Sequence, residues 1–164
     1  MFAAASARPD SKPLLYDELL AQARALFEGE RDALANSANL AALVYHTLPE
    51  LNWAGFYWMK GGELVLGPFQ GKPACVRIAL GKGVCGTAAL ARETIVVQDV
   101  NAFPGHIACD SASRSEIVVP IVRGGRALGV LDVDSPVLAR FDAEDRRGLE
   151  AIVAAFIEAT DLPA

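Results

Sequence analysis

The chain has 164 residues, 52% hydrophobic and 21% charged, with a net charge of -5 at pH 7 and a mean hydropathy of +0.28. A chain of this size buries a full core as one domain, so it needs no disulfide or metal staple to fold. An acidic balance without any long basic run argues against nucleic acid or an anionic membrane as partner, and no stretch approaches the roughly eighteen uninterrupted apolar residues of a membrane span.

Residues 1–13, rich in alanine, serine and proline, are expected to be frayed, and residues 14–160 to form one domain. From Leu14 the apolar positions Leu15, Leu19, Leu20, Ala23, Leu26 and Phe27 follow helical spacing and stop near Gly29. Leu34, Ala38, Ala41, Ala42 and Tyr45 continue that period into a second helix, which Pro49 ends. The pattern then changes to strands. WAGFYWM (53–59), a Lys-Gly-Gly turn and ELVLGPF (63–69) read as a hairpin. Trp53 and Tyr57 share a face of its first strand, where aromatic residues serve cores more often than binding walls.

A short strand, CVRIAL, runs into a glycine loop; a short helix, AALARE, follows, and TIVVQDV is the next strand. EIVVPIV (116–122), an Arg-Gly-Gly-Arg turn and ALGVLDVDS (127–135) make the clearest hairpin, at or near the sheet's centre. DAED then opens a last helix, with Leu149, Ile152, Val153 and Phe156 at helical spacing. Hairpins in place of repeated strand and helix alternation predict an α+β domain, a mainly antiparallel sheet with helices packed on one face.

Cys75, Cys85 and Cys109 lie on three separate segments, so neither a CxxC redox motif nor a zinc knuckle is available. They are either small buried hydrophobes or thiols brought together for redox or catalytic work. The odd count, without framework spacing, points to a reducing, cytoplasmic setting. Gly81, Gly83 and Gly86 form a GxGxxG with a strand before it, a helix after it and Asp99 at the end of the next strand. The flanking segments pair as hairpins, however, and a dinucleotide fold needs parallel βαβ units. The glycines are better read as a tight loop presenting Cys85. At a helix start that thiol is expected to feel the positive dipole end and ionise more easily. Cys109 sits in a long polar loop, FPGHIACDSASRSE, of the kind that tends to be functional. His106, three residues away, is read as solvated more readily than as its base.

Asp132 and Asp134 share one face of an otherwise apolar strand, which is costly unless that face lines a pocket. Glu116 begins the partner strand. Three neighbouring carboxylates raise at least one pKa and keep a protonated acid near neutral pH, while a hard cation wants more oxygen ligands than they supply; no metal is expected. This trio carries a condition on register. With a two-residue turn at Gly124 and Gly125, Arg123 pairs with Arg126 and Glu116 falls opposite Val133, pointing away from both aspartates. A turn of odd length, or a one-residue bulge near Pro120, is therefore predicted.

NWAGFYW, LVLGPFQGKPACVRIALGKGVCGTA, QDV, FPGHIACDSASRSEIVVPIV and LGVLDVDS together resemble the free methionine-R-sulfoxide reductases, which are single GAF domains. The resemblance implies a GAF-like fold, a small closed pocket and a homodimer. It implies that Cys109 attacks the sulfoxide sulfur, that Cys85 resolves the resulting sulfenic acid with Cys75 as a second possible resolver, and that thioredoxin returns the electrons without a bound cofactor. It gives Glu116, Asp132 and Asp134 the substrate amine and the sulfoxide oxygen, and Trp53 and Tyr57 the S-methyl group. The alternative is a GAF module that senses a small ligand or oxidant without turnover.

Overall fold

The computed structural model describes residues 11–162, so most of the segment expected to be frayed lies outside the described residues. Helix α1, Lys12–Phe27, starts two residues before Leu14. Ser11 Oγ accepts from Leu14 N, and Pro13 occupies the first turn, where no N–H is needed. Helix α2, Ala33–Thr47, is capped by Asp32, whose side chain accepts from Ala35 N at 2.8 Å. The last helix, α4, Ala143–Ala159, opens with a reciprocal capping box between Asp142 and Asp145.

Six strands form one antiparallel sheet: β1 Trp53–Lys60, β2 Glu63–Gly71, β3 Arg77–Ala79, β4 Ile95–Val97, β5 Ser115–Arg123 and β6 Arg126–Ser135, in the order β3-β2-β1-β6-β5-β4. The last hairpin supplies central β6 and its neighbour β5, as expected. Leu19, Phe27, Leu40, Val44, Leu149 and Phe156 from α1, α2 and α4 pack on one face, against Phe56, Ile117 and Leu131. This is the main core. The one-face arrangement holds for these three long helices.

Helix α3, Gly83–Ala91, takes the opposite face, with Val84, Cys85 and Ala88 against Tyr57, Val118 and Val130. The reason is topological: β3 and β4 are the two edges of the sheet, so the chain joining them must cross its whole width. The GxGxxG therefore opens no parallel βαβ unit. Its glycines serve the crossing: Gly81 and Gly83 have φ of 76° and 59°, and a Cβ on Gly86 would overlap the Ala79 carbonyl oxygen.

Candidate active site

The register of the sheet places the acids. Glu116 pairs with Asp134 and Val118 with Asp132 across β5 and β6, while Trp53 pairs with Asp134 and Gly55 with Asp132 across β1 and β6. Directly opposed residues share a face, so Glu116, Asp132, Asp134, Trp53 and Tyr57 all point toward α3. The predicted bulge supplies this register. It falls between Ile121 and Val122, next to Pro120, and the turn itself keeps Arg123 opposite Arg126.

These residues line a small cleft roofed by the loop carrying Cys75 and the loop carrying His106 and Cys109. The aromatic wall is layered: Trp53 stacks on Tyr57 at 5.9 Å and on Phe69 at 5.3 Å between ring centroids. Each ring's polar end pins the roof, because Tyr57 Oη donates to the Cys75 carbonyl at 2.9 Å and Trp53 Nε1 to the Lys72 carbonyl at 3.1 Å. Trp53 and Tyr57 are buried and also line the cleft.

Glu116 and Asp132 are buried and Asp134 half-buried. Burial lifts all three carboxyls well above their ordinary range; the charge of Asp134 adds to this at Glu116, Glu116 at Asp132, and Asp132 at Asp134. The cluster therefore retains a proton near neutral pH. Asp132 Oδ1 is buried without a hydrogen-bond partner among the described residues. His106 is not solvated: its side chain is 14% exposed, and its Nε2 stands 3.7 Å from Glu116 Oε2. Burial lowers its pKa, which keeps the ring neutral near pH 7.

A disulfide joins Cys75 to Cys109, with Cα atoms 5.6 Å apart, and Cys85 is the free thiol. This differs from a Cys109 and Cys85 pairing. Cys85 is fixed on α3 beneath the roof, whereas Cys75 and Cys109 both lie on the loops that form it. The expected acid shift of Cys85 is also reversed: burial, then the charges of Asp132, Glu116 and Asp134, push its thiol well above the ordinary range. Those opposing forces outweigh the start of a short helix. Cys109 is exposed at the cleft mouth.

Sequence reasoning missed the loop's anchor. Asn52 Nδ2 donates to Ser113 Oγ at 2.9 Å and to Asp110 Oδ2 at 3.2 Å, which ties both ends of the turn that follows Cys109 to the start of β1. Its place just before Trp53 is the one available signal, and it does not reveal a partner 58 or 61 residues away.

The GAF domain profile matches residues 35–158. The chain is 51% identical to the free methionine-R-sulfoxide reductase of Escherichia coli, over 88% of this chain and 87% of that protein. It belongs to the free methionine-R-sulfoxide reductase family of GAF domains. Within this family it is similar to the Neisseria meningitidis reductase, solved in complex with its substrate, at 45% identity and a TM-score of 0.88, covering 97% of this chain and 93% of that one. Protein YtsP of Bacillus subtilis is 60% identical over 82% of this chain and 83% of its own length. In this GAF domain the acids, the aromatic wall, Cys85 and Cys109 line one cleft, and Cys75 is bonded to Cys109 at its mouth.

Proposed function

We propose that the chain reduces free L-methionine (R)-S-oxide to L-methionine by thiol chemistry, with Cys109 as the attacking group. The observation that carries this is one cleft in which a disulfide-forming, exposed Cys109 faces buried acids that retain a proton. The Cys109 thiolate attacks the sulfoxide sulfur and the sulfur–oxygen bond breaks. Protons from the acid cluster, Glu116 above all, let that oxygen leave as water. Water then takes the Cys109 sulfur, methionine departs, and Cys109 is left as a sulfenic acid. A second thiol displaces water from it, giving a disulfide. Over the two steps, one sulfoxide and two thiols become one thioether, one disulfide and one water. The Cys75–Cys109 bond supports Cys75 as the resolving thiol and leaves Cys85 beside the acids.

Half-buried Asp134 and the unpartnered Oδ1 of buried Asp132 suit a substrate ammonium group, and the Trp53 and Tyr57 rings suit a methyl group on sulfur. A residue within a peptide has no free ammonium to offer. Among the described residues, no helix is long and apolar enough to cross a membrane. Each turnover consumes two thiols, so the reading includes a reducing, cytoplasmic setting and thioredoxin as electron donor, with no bound cofactor. The exposed position of Cys109 favours attack by such a dithiol. A homodimer, implied by the resemblance, completes the reading and is open to sedimentation.

The test is NADPH consumption through thioredoxin reductase and thioredoxin with free methionine sulfoxide, its sulfur epimers resolved, against a peptide-bound control. Turnover of the free R epimer alone is expected. Equal rates on the peptide, or no turnover with a cleanly reducible disulfide, refute the proposal.

A further inference from the structure

Cys85 has no part in the disulfide, yet it is held against the acids. Its Sγ lies 3.9 Å from Glu116 Oε1, and Sγ, one Glu116 oxygen and one Asp132 oxygen all fall within 4.8 Å of one another. Each comes from a different element, α3, β5 or β6, so the backbone of the whole cleft floor fixes the cluster. A second observation is independent of the thiol. Asp132 is 7% exposed, lines the cleft, and its Oδ1 has no hydrogen-bond partner among the described residues.

Hard cations such as magnesium and calcium take six or more oxygen ligands, which this cluster does not offer. A thiolate beside two carboxylates is a different donor set. Zinc binds cysteine sulfur at about 2.3 Å and carboxylate oxygen at about 2.0–2.2 Å, so tetrahedral ligands stand about 3.5 Å apart. The separations here reach that value with movements of about an ångström, within the reach of side-chain torsions. Three protein ligands with a fourth position open to a cleft is a common zinc arrangement.

The geometry points to a divalent zinc-type site formed by Cys85 Sγ, Glu116 and Asp132 at the floor of the cleft. The ion displaces the protons that the thiol and carboxyls would otherwise keep, and its two positive charges offset most of their negative charge. Because Cys85 stands outside the Cys75–Cys109 bond, the site exists in the oxidised protein as well as in the reduced one. An ion there withholds Glu116 and Asp132 from the sulfoxide, so it competes with substrate; that consequence alone rests on the proposed function.

The test uses the full chain with its disulfide intact, stripped by a chelator and held without substrate. Cobalt(II) is titrated in as a spectroscopic probe and zinc(II) is followed by calorimetry. Expected are about one ion per chain, a thiolate-to-cobalt charge-transfer band, and loss of that band when zinc is added. Cys85→Ala should abolish the band. Because Cys85 is buried, the near-isosteric Asp132→Asn serves as a second variant that keeps the thiol, and zinc should bind at least about tenfold more weakly to each. Cobalt binding without a thiolate band, binding only after reduction of the disulfide, or undiminished zinc affinity in both variants overturns the site. The titration contains no substrate, so a protein inactive on methionine sulfoxide that gives the band still supports it.

Discussion

Glu116 stands directly opposite Asp134 on the β5–β6 ladder, although the turn joining these strands would by itself put Val133 there. Arg123 pairs with Arg126 around Gly124 and Gly125, and Val122 pairs with Ala127; then Ile121 pairs with Gly129, and Leu128 is left as the extra residue. One inserted residue turns every later side chain on that strand to the other face. The acid cluster exists because of that bulge.

The same cluster makes Glu116→Gln a test of function against stability. Burial, then repulsion from Asp134, raises the Glu116 pKa above its unfolded value. A group raised in this way contributes stability that is fully present below the unfolded pKa, about 4.3, and is lost as pH rises through the folded value. At pH 8 the carboxylate therefore works against folding, and glutamine removes that effect. The melting temperature should rise at pH 8, by about 2–4 °C for each kcal/mol relieved, and the gain should vanish near pH 4. Turnover should fall by about 10²–10⁴. Thermal melts at both pH values and the coupled assay check these outcomes; a loss of stability equal at both would show that charge is not what Glu116 contributes.

The three thiols separate in a single-turnover experiment. Cys109→Ser should release no methionine. Cys75→Ser should release about one methionine per chain and then stop, holding a sulfenic acid that dimedone traps, because attack precedes resolution. Cys85→Ser should keep cycling with thioredoxin. A Cys85→Ser protein that stalls after one release, with Cys75→Ser cycling, would return the resolving role to Cys85.

What could be read ahead of the structure was whatever the local backbone dictates. The hairpins follow from alternation and turn glycines, and the bulge from parity between Gly124 and Glu116 together with the missing N–H of Pro120. The GxGxxG could be set aside because its flanking strands do not alternate with helices. Local rules stop where tertiary neighbours decide. The ionisation of Cys85 looked favourable from its helix start, yet it is governed by burial and by carboxylates from β5 and β6. Likewise the Cys75–Cys109 pairing depends on which loops roof the cleft, and no spacing encodes that. His106 reaches Glu116 from a loop that Asn52 and the Cys75–Cys109 bond both tie down.

Gly55 tests the aromatic wall without touching a chemical group. It lies between Trp53 and Tyr57 on β1 and pairs with Asp132 on one side and Phe69 on the other. A Cβ there would overlap Phe69 and come within 2.8 Å of the Trp53 ring, so the stack closes only over a glycine. Gly55→Ala should cost about 1–3 kcal/mol as an overpacked site. Because the displaced rings form the cleft wall, KM for the sulfoxide should rise more than kcat falls. Urea unfolding and steady-state kinetics on the same preparation read both; an unchanged KM would remove the Trp53–Phe69 stack from substrate binding.

The clasp between α1 and α4 lies on the sheet face opposite the cleft. Lys12 Nζ donates to Asp142 Oδ2 at 2.7 Å and to Asp145 Oδ2 at 2.6 Å, while Tyr16 Oη and Arg140 Nη1 reach Asp145 Oδ1 at 2.8 and 3.0 Å. Against the upward push of burial, hydrogen bonds from the Lys12 ammonium and the Asp145 N–H hold the Asp142 carboxyl down at about 2. A carboxylate depressed in this way contributes stability above its unfolded pKa, about 3.9, and loses it as pH falls through the folded value. Lys12→Met keeps the apolar stem and removes the charge. At pH 7 it should cost about 1–3 kcal/mol, since buried Asp145 loses one of its partners. The share that runs through Asp142 should fade as pH falls from about 4 toward 2, where that carboxyl is about half protonated in the native chain and largely protonated in the variant. Urea unfolding at pH 7, 4 and near 2 measures the difference directly. A cost that stays constant across that range would mean that Lys12 acts through packing and not through its charge, while turnover, which depends on the other face of the sheet, should be unchanged throughout.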